Sequence, residues 1–142
     1  MIIGYTSGVF DLFHVGHLNI LKNAKSMCDK LIVGVTTDDL VAYKFKRAVI
    51  PFTERLQIVA ACKYVDTAIP QATIDKFEIY KKLKFDILFV GDDWYKSNNW
   101  KNYEKKLSKY SVKIVYFDYT KGTSSTLINQ TLKSLRNEND PQ

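Results

Sequence analysis

The chain has 142 residues, 46% of them apolar and 25% charged, enough for one globular domain with a real core, so disordered and fibrous classes are excluded. Lysine plus arginine (21) exceeds aspartate plus glutamate (15) by 6, which points to an anionic partner and leaves nucleic acid, an acidic membrane surface and small phosphate compounds open. Two cysteines without metal-ligand spacing exclude a disulfide framework and a zinc site.

Residues 2–6 form a short β-prone run, followed over 17–28 by a helical pattern in which Leu18, Leu21, Ala24 and Cys28 share a face. Residues 31–36 read as a buried strand. Thr53-Glu54 opens the next helix, with Leu56, Val59, Ala60 and Lys63 on nearly one stripe, and residues 66–69 return as a strand before Pro70. Residues 74–83 are helical, 86–90 make the clearest central strand, 100–110 carry a lysine-rich helical pattern, 112–117 alternate as a further strand, and Ser124 begins a final helix. Cys28 and Cys62 fall within helical apolar patterns and read as reduced core residues. Apolar runs stay far below the roughly 20 residues of a bilayer span, and the first residues lack a charged region and a cleavage site. The expectation is a cytoplasmic protein without membrane insertion.

Strands buried on both faces and joined by helices predict an α/β fold: a Rossmann-like parallel sheet flanked by helices on both faces. A single domain covers residues 1–136, with a polar tail over 137–142. Ligands of such sheets collect at the carboxyl ends of the strands, here the loops 7–16, 37–52, 91–99 and 118–123.

The first of these loops, Gly8-Val9-Phe10-Asp11-Leu12-Phe13-His14-Val15-Gly16-His17, follows a strand and opens a helix. His14 and His17, three apart, share a helix face; Gly16 admits close approach of a ligand, and the helix start favours an anion. Together they read as a phosphate grip rather than as polar fillers. Lys44 and Lys46 would share a side on an extended loop and diverge on a helix, and with Arg47 they make either a solvated basic loop or an anion site. In Tyr119-Thr120-Lys121-Gly122-Thr123-Ser124-Ser125-Thr126, glycine and hydroxyl residues at a helix start suit a triphosphate, or a plain N-cap. Gly91-Asp92-Asp93-Trp94 offers paired carboxylates for a metal or acceptors for an amino group. Trp94 and Trp100 are a stacking wall or ordinary aromatics, and Arg55 either holds a loop or is a first-turn surface charge.

These landmarks in this order resemble the HxGH nucleotidyltransferase superfamily that includes the cytidylyltransferases. Lys44-Phe45-Lys46, Thr53-Glu54-Arg55, Tyr64-Val65-Asp66, Ile69-Pro70 and Gly91-Asp92-Asp93-Trp94 look like the glycerol-3-phosphate cytidylyltransferase branch over nearly the entire chain. The resemblance implies transfer of CMP from CTP, accompanied by Mg2+, to glycerol 3-phosphate or a related polyol or amino-alcohol phosphate, by a homodimer that supplies cell-envelope synthesis. It implies catalytic roles for His14, His17, Lys44 and Lys46. It implies nucleotide contacts from Val9, Phe10, Gly16, Arg55, Lys63, Asp92, Asp93, Trp94, Tyr119, Thr120, Lys121, Gly122, Thr123, Ser124, Ser125 and Thr126. Acceptor contacts fall to Asp11, Lys44, Lys76 and Phe77. The chain departs from that branch at Lys63 and Tyr119, where arginines stand, and near Phe77, where a lysine stands; Lys121 and Lys76 are neighbouring cations. These changes leave the acceptor open. The alternatives are an adenylyltransferase of the same fold, a silent nucleotide sensor, and a nucleic-acid module using Tyr95, Trp100, Tyr103 and Tyr110; the ordered landmarks argue against a nucleic-acid partner.

Overall fold

A computed structural model describes residues 1–44, 47–91, 98–117 and 130–135. Strands β1 (Ile3–Gly8), β2 (Lys30–Thr36), β3 (Thr67–Gln71), β4 (Ile87–Gly91) and β5 (Lys113–Phe117) pair in parallel in the order β3-β2-β1-β4-β5. Alternate strand residues feed two cores. Leu31, Val33, Val35, Ile87 and Phe89 meet helices α1 (Val15–Ser26) and α3 (Phe52–Ala61) through Leu21, Ala24 and Val59. Tyr5, Ile32 and Leu88 point the other way, toward Ile79 and Tyr80 of α4 (Lys76–Leu83) and Trp100 and Leu107 of α5 (Asn98–Ser108). The result is the expected sheet between two helix layers. The order in which strands are added reverses between β1 and β4, and that switch point opens a crevice at the carboxyl ends.

Four differences from the sequence expectation have local causes. Residues 38–44 form a helix, α2 (Asp38–Lys44), rather than loop: Thr37 caps it through its carbonyl to Val41 N, at 3.0 Å, and its hydroxyl to Leu40 N, at 3.4 Å. Helix α1 begins two residues before His17, because His14 is its N-cap. Strand β3 runs through Pro70, which an edge strand tolerates since its other side needs no ladder partner. Trp100 is 1% exposed and donates from Nε1 to the Tyr116 hydroxyl at 2.7 Å, so it is a core residue and not a stacking wall.

Cys28 and Cys62 are free thiols packed partly buried against the core. No helix among the described residues is long and apolar enough to cross a membrane. Residues 130–135 are helical, while the predicted start of that helix at Ser124 and the tail 137–142 lie outside the described residues.

Candidate active site

A cavity of about 440 Å3 opens over the carboxyl ends of β1 to β4, walled by Ser7, Phe10, Asp11, His17, Gln71 and Lys76 among others. The loop after β1 enters it under backbone strain. Phe10 (φ 54°) and Leu12 (φ 50°) sit in the left-handed region, which non-glycine residues avoid at a cost of about 1–2 kcal/mol each. Burial of the Phe10 ring holds the turn from one side. From the other, the Asp11 carboxylate accepts from Val49 N at 2.8 Å and Ile50 N at 2.9 Å.

That turn delivers two imidazoles to the start of α1. His14 Nδ1 accepts from Gly16 N at 3.0 Å, and His17 Nδ1 accepts from His14 N at 3.2 Å. A ring nitrogen that accepts from a backbone N–H carries no proton, so in each neutral ring the hydrogen resides on Nε2. Both histidines therefore present an N–H donor without needing a positive charge. The rings stack with centroids 4.0 Å apart, and His17 also meets the edge of Phe10 at 5.4 Å. Burial, then the neighbouring His14, lowers the His17 pKa to about 4 against a weaker upward pull from Asp11. Burial lowers that of His14 as well. His17 lines the cavity, and His14 is stacked on it.

Arg55, at 0% exposure, ties the surrounding loops together. Its Nε donates to Ile50 O at 2.8 Å, Nη1 to Val9 O at 2.7 Å and Thr36 O at 2.8 Å, and Nη2 to Asp38 at 2.7 Å. The Phe52 N–H and this guanidinium hold the Asp38 carboxyl below its usual range. Lys76, 6% exposed, lines the cavity, and its Nζ donates to Ser7 Oγ at 2.7 Å. Ser7 in turn hydrogen-bonds the Tyr5 phenol, and burial pushes that phenol well above its usual range. Gly34 makes this possible: a Cβ there would stand 2.1 Å from the Tyr5 hydroxyl.

The cavity thus gathers Val9, Phe10, Asp11, His17 and Lys76 of the expected residues, together with Arg47. Several others have different places from those expected. Asp11 faces the cavity, but both its oxygens hold the 49–50 backbone, and Arg55 lies behind the wall; each positions the loops. The Gly16 N–H is taken by His14, so it is not an anion donor. Lys44 ends α2 rather than lying on an extended loop, which removes the shared-side argument for it and Lys46. Lys63 follows the C-terminal end of α3 and is exposed beside Tyr64, 5.2 Å from the ring, at the amino-end edge of the sheet. Phe77 does not line the cavity; it packs with Tyr80 and Tyr110 under Lys81 and Lys106. Lys46, Asp92, Asp93, Trp94 and the whole 119–126 stretch lie outside the described residues, as does the Lys44 side chain. Ser7 and Gln71 were missed. Ser7 lies in β1 but begins the 7–16 stretch that the sequence marks as a strand-end loop, a position that could have drawn notice, whereas Gln71 carries no motif.

The family model described as Cytidylyltransferase-like matches residues 5–133. Glycerol-3-phosphate cytidylyltransferase of Bacillus subtilis is 32% identical over 133 residues, covering 92% of this chain and 96% of that protein. FAD synthase of Methanothrix thermoacetophila is 39% identical over 94 residues, 66% of this chain and 65% of that protein. Among solved structures, the lipopolysaccharide core biosynthesis protein of Thermoplasma volcanium superposes with a TM-score of 0.71 at 28% identity, over 87% of this chain and 99% of that one.

Proposed function

Since the chain belongs to the cytidylyltransferase-like family, we propose that it is a nucleotidyltransferase that moves CMP from CTP to a phosphorylated small molecule, giving a CDP-activated product and pyrophosphate. The observation that carries this reading is the histidine pair whose Nδ1 atoms are both held by backbone N–H groups, so that fixed Nε2–H donors stand beside the strand-end cavity.

The acceptor phosphomonoester has a second pKa of about 6, so its oxygen is a nucleophile at neutral pH and needs no general base. It attacks the α-phosphorus of CTP; the bond from that phosphorus to the bridging oxygen breaks, and pyrophosphate leaves with the electron pair. The protein must bring two anions into line and meet the charge that builds on the α-phosphate and the leaving group. His14 and His17 donate to those oxygens. Arg47 and Lys76 lend positive charge at the cavity wall, with Lys44 on the acceptor and Lys46 on the triphosphate. The 119–126 stretch and Asp92 to Trp94 complete the nucleotide contacts in this reading, and Lys63 belongs to it only if a second copy supplies it.

Among the described residues no group of three or more metal-ligating side chains exists, and the Asp11 oxygens are engaged. That donor set fits a Mg2+ ion carried on the nucleotide phosphates, the usual habit of this ion. There it would neutralise part of the triphosphate charge. A homodimer and a polyol or amino-alcohol phosphate as acceptor, both carried from the sequence resemblance, complete the proposal, with the cytoplasm as its location.

The test is pyrophosphate release with Mg2+, CTP or ATP, and a panel of phosphorylated acceptors, with mass detection of the product. CTP is expected to be preferred, and His14→Ala and His17→Ala each to lower turnover by about 100-fold or more. Preference for ATP, or near-normal turnover in both variants, overturns the reading.

A further inference from the structure

The part of the cavity that reaches β3 holds a polar group, the Gln71 amide, that the transfer chemistry does not use. Gln71 closes β3 opposite Thr36 of β2 and is 6% exposed. Its Nε2 donates to Thr73 O at 3.0 Å, which fixes the orientation of the amide: nitrogen toward that carbonyl, oxygen away from it. The oxygen, Oε1, is buried and has no hydrogen-bond partner among the described residues, while Gln71 lines the cavity wall. Buried polar groups are nearly always paired, so an orphan at a cavity wall marks a place for a ligand atom. An amide oxygen only accepts, so that ligand atom must be a donor.

The same wall carries the Lys76 ammonium on Ser7, braced by Tyr5 in the space Gly34 leaves. A phosphate at neutral pH offers acceptor oxygens, which suit Lys76 and are repelled by Gln71 Oε1. The two groups therefore impose a direction on whatever lies there. Strand β3 is on the far side of β1 from the β1/β4 switch point, where a nucleotide lies in sheets of this kind. That separation leaves this part of the cavity to the second substrate.

We propose that Gln71 is a specificity-determining residue: its Oε1 takes a hydrogen bond from a hydroxyl or amino group on the carbon skeleton of the phosphorylated acceptor, which lies with its phosphate away from β3. The proposal deepens the cytidylyl-transfer reading and rests on it for the identity of the bound molecule. A site built around a substrate OH or NH rejects the analogue that lacks it far more strongly than an apolar pocket rejects a missing methylene.

The experiment measures, by calorimetry on the full chain saturated with Mg2+ and a CTP analogue with a methylene bridge between its α- and β-phosphates, the binding of glycerol 3-phosphate, ethanolamine phosphate and n-propyl phosphate. The expected result is that the better of the first two binds about tenfold or more tightly than n-propyl phosphate; which one wins tells hydroxyl from ammonium. Gln71→Met and Gln71→Glu both lose the bond to Thr73, but only the glutamate keeps an acceptor oxygen. The preference is expected to collapse toward one in Gln71→Met and to persist in Gln71→Glu. The proposal is overturned if the wild type does not discriminate, if the two variants behave alike, or if Gln71→Met weakens the CTP analogue in the absence of acceptor. Failure of the parent reading is separate: discrimination that follows Gln71 in binding, with no CDP product from CTP and any acceptor.

Discussion

Arg55 and Lys76 both carry a charge below the surface at the strand ends, at 0% and 6% exposure. Arg55 directs its guanidinium to three backbone carbonyls and Asp38, joining the loop after β1, the end of β2, the start of α2 and the 47–51 segment. Lys76 places an ammonium at the cavity wall, where the Ser7 hydroxyl is one of its partners. A guanidinium has five donors in a rigid fork and serves as a knot; an ammonium is a point charge on a flexible stem and serves a ligand. Burial alone therefore does not tell a structural cation from a binding one. What the donors meet does.

The sharpest way to break this contrast is to remove the knot. Arg55→Met leaves the Val9, Thr36 and Ile50 carbonyls and the half-exposed Asp38 carboxylate without this donor, and a buried carbonyl left unpaired costs about 1–3 kcal/mol. Against a total stability of about 5–15 kcal/mol, the variant is expected to melt about 10 °C or more below the wild type and to lose activity with its fold. Arg55→Lys keeps the charge without the fork and is expected to fall nearly as far. A thermal midpoint within about 3 °C of wild type in either variant would remove Arg55 from its structural role.

Lys76→Met is expected to behave in the opposite way. A charge-assisted hydrogen bond to a ligand contributes about 1.5–3 kcal/mol, so acceptor-dependent kcat/KM should drop by about 10-fold or more. The melting temperature should fall less than in Arg55→Met, since the Ser7 hydroxyl that loses its donor is a single neutral group. If the protein instead melts early, with kcat/KM falling only in proportion to the folded fraction, Lys76 is a second knot and the contrast fails.

How far these roles could be read in the sequence follows from the distances between the groups. The strands were legible because each is a short apolar run with its own boundaries. The seven residues of α2 were not, since Leu40 and Val41 are adjacent and set no period; only the Thr37 cap and acidic first turn signalled it. His14 and His17 were legible as a pair because a helix start brings i and i+3 together. The position of Lys63 follows from elementary topology: a helix leaving one parallel strand for the next returns its C-terminal end to the amino edge of the sheet, away from the ligand. Phe77 follows from helical geometry, lying about 100° around α4 from the inward Lys76. Ser7 and Gln71 come to line one cavity only through the register in which Gly8 pairs with Val35 and Thr36 with Gln71. No local pattern encodes that register. Nor does the sequence distinguish Arg55 from an exposed first-turn arginine, because its partners Val9, Thr36, Asp38 and Ile50 lie in four other segments.

The smallest effect tests whether the histidines are the neutral donors their hydrogen bonds describe. In the free protein the His17 pKa is about 4, below the ordinary 6.5 that it regains on unfolding. Between those values the unfolded chain binds a proton that the native one refuses, so stability rises with pH from about 4 to 6.5 and levels off above. The wild type should therefore lose thermal stability as pH falls through that window, and His17→Ala should lose less. A triphosphate laid on the Nε2 edges reverses the sign, because an adjacent anion favours the charged ring. At pH 5, CTP binding should then take up a fraction of a proton, measured by calorimetry in two buffers of different ionisation enthalpy, and the uptake should shrink toward zero above pH 7 and in His17→Ala. Uptake of nothing at pH 5, with CTP bound, would mean that the phosphates do not lie on these rings. The cations of the cavity wall alone would then have to hold the charge that builds on the α-phosphate.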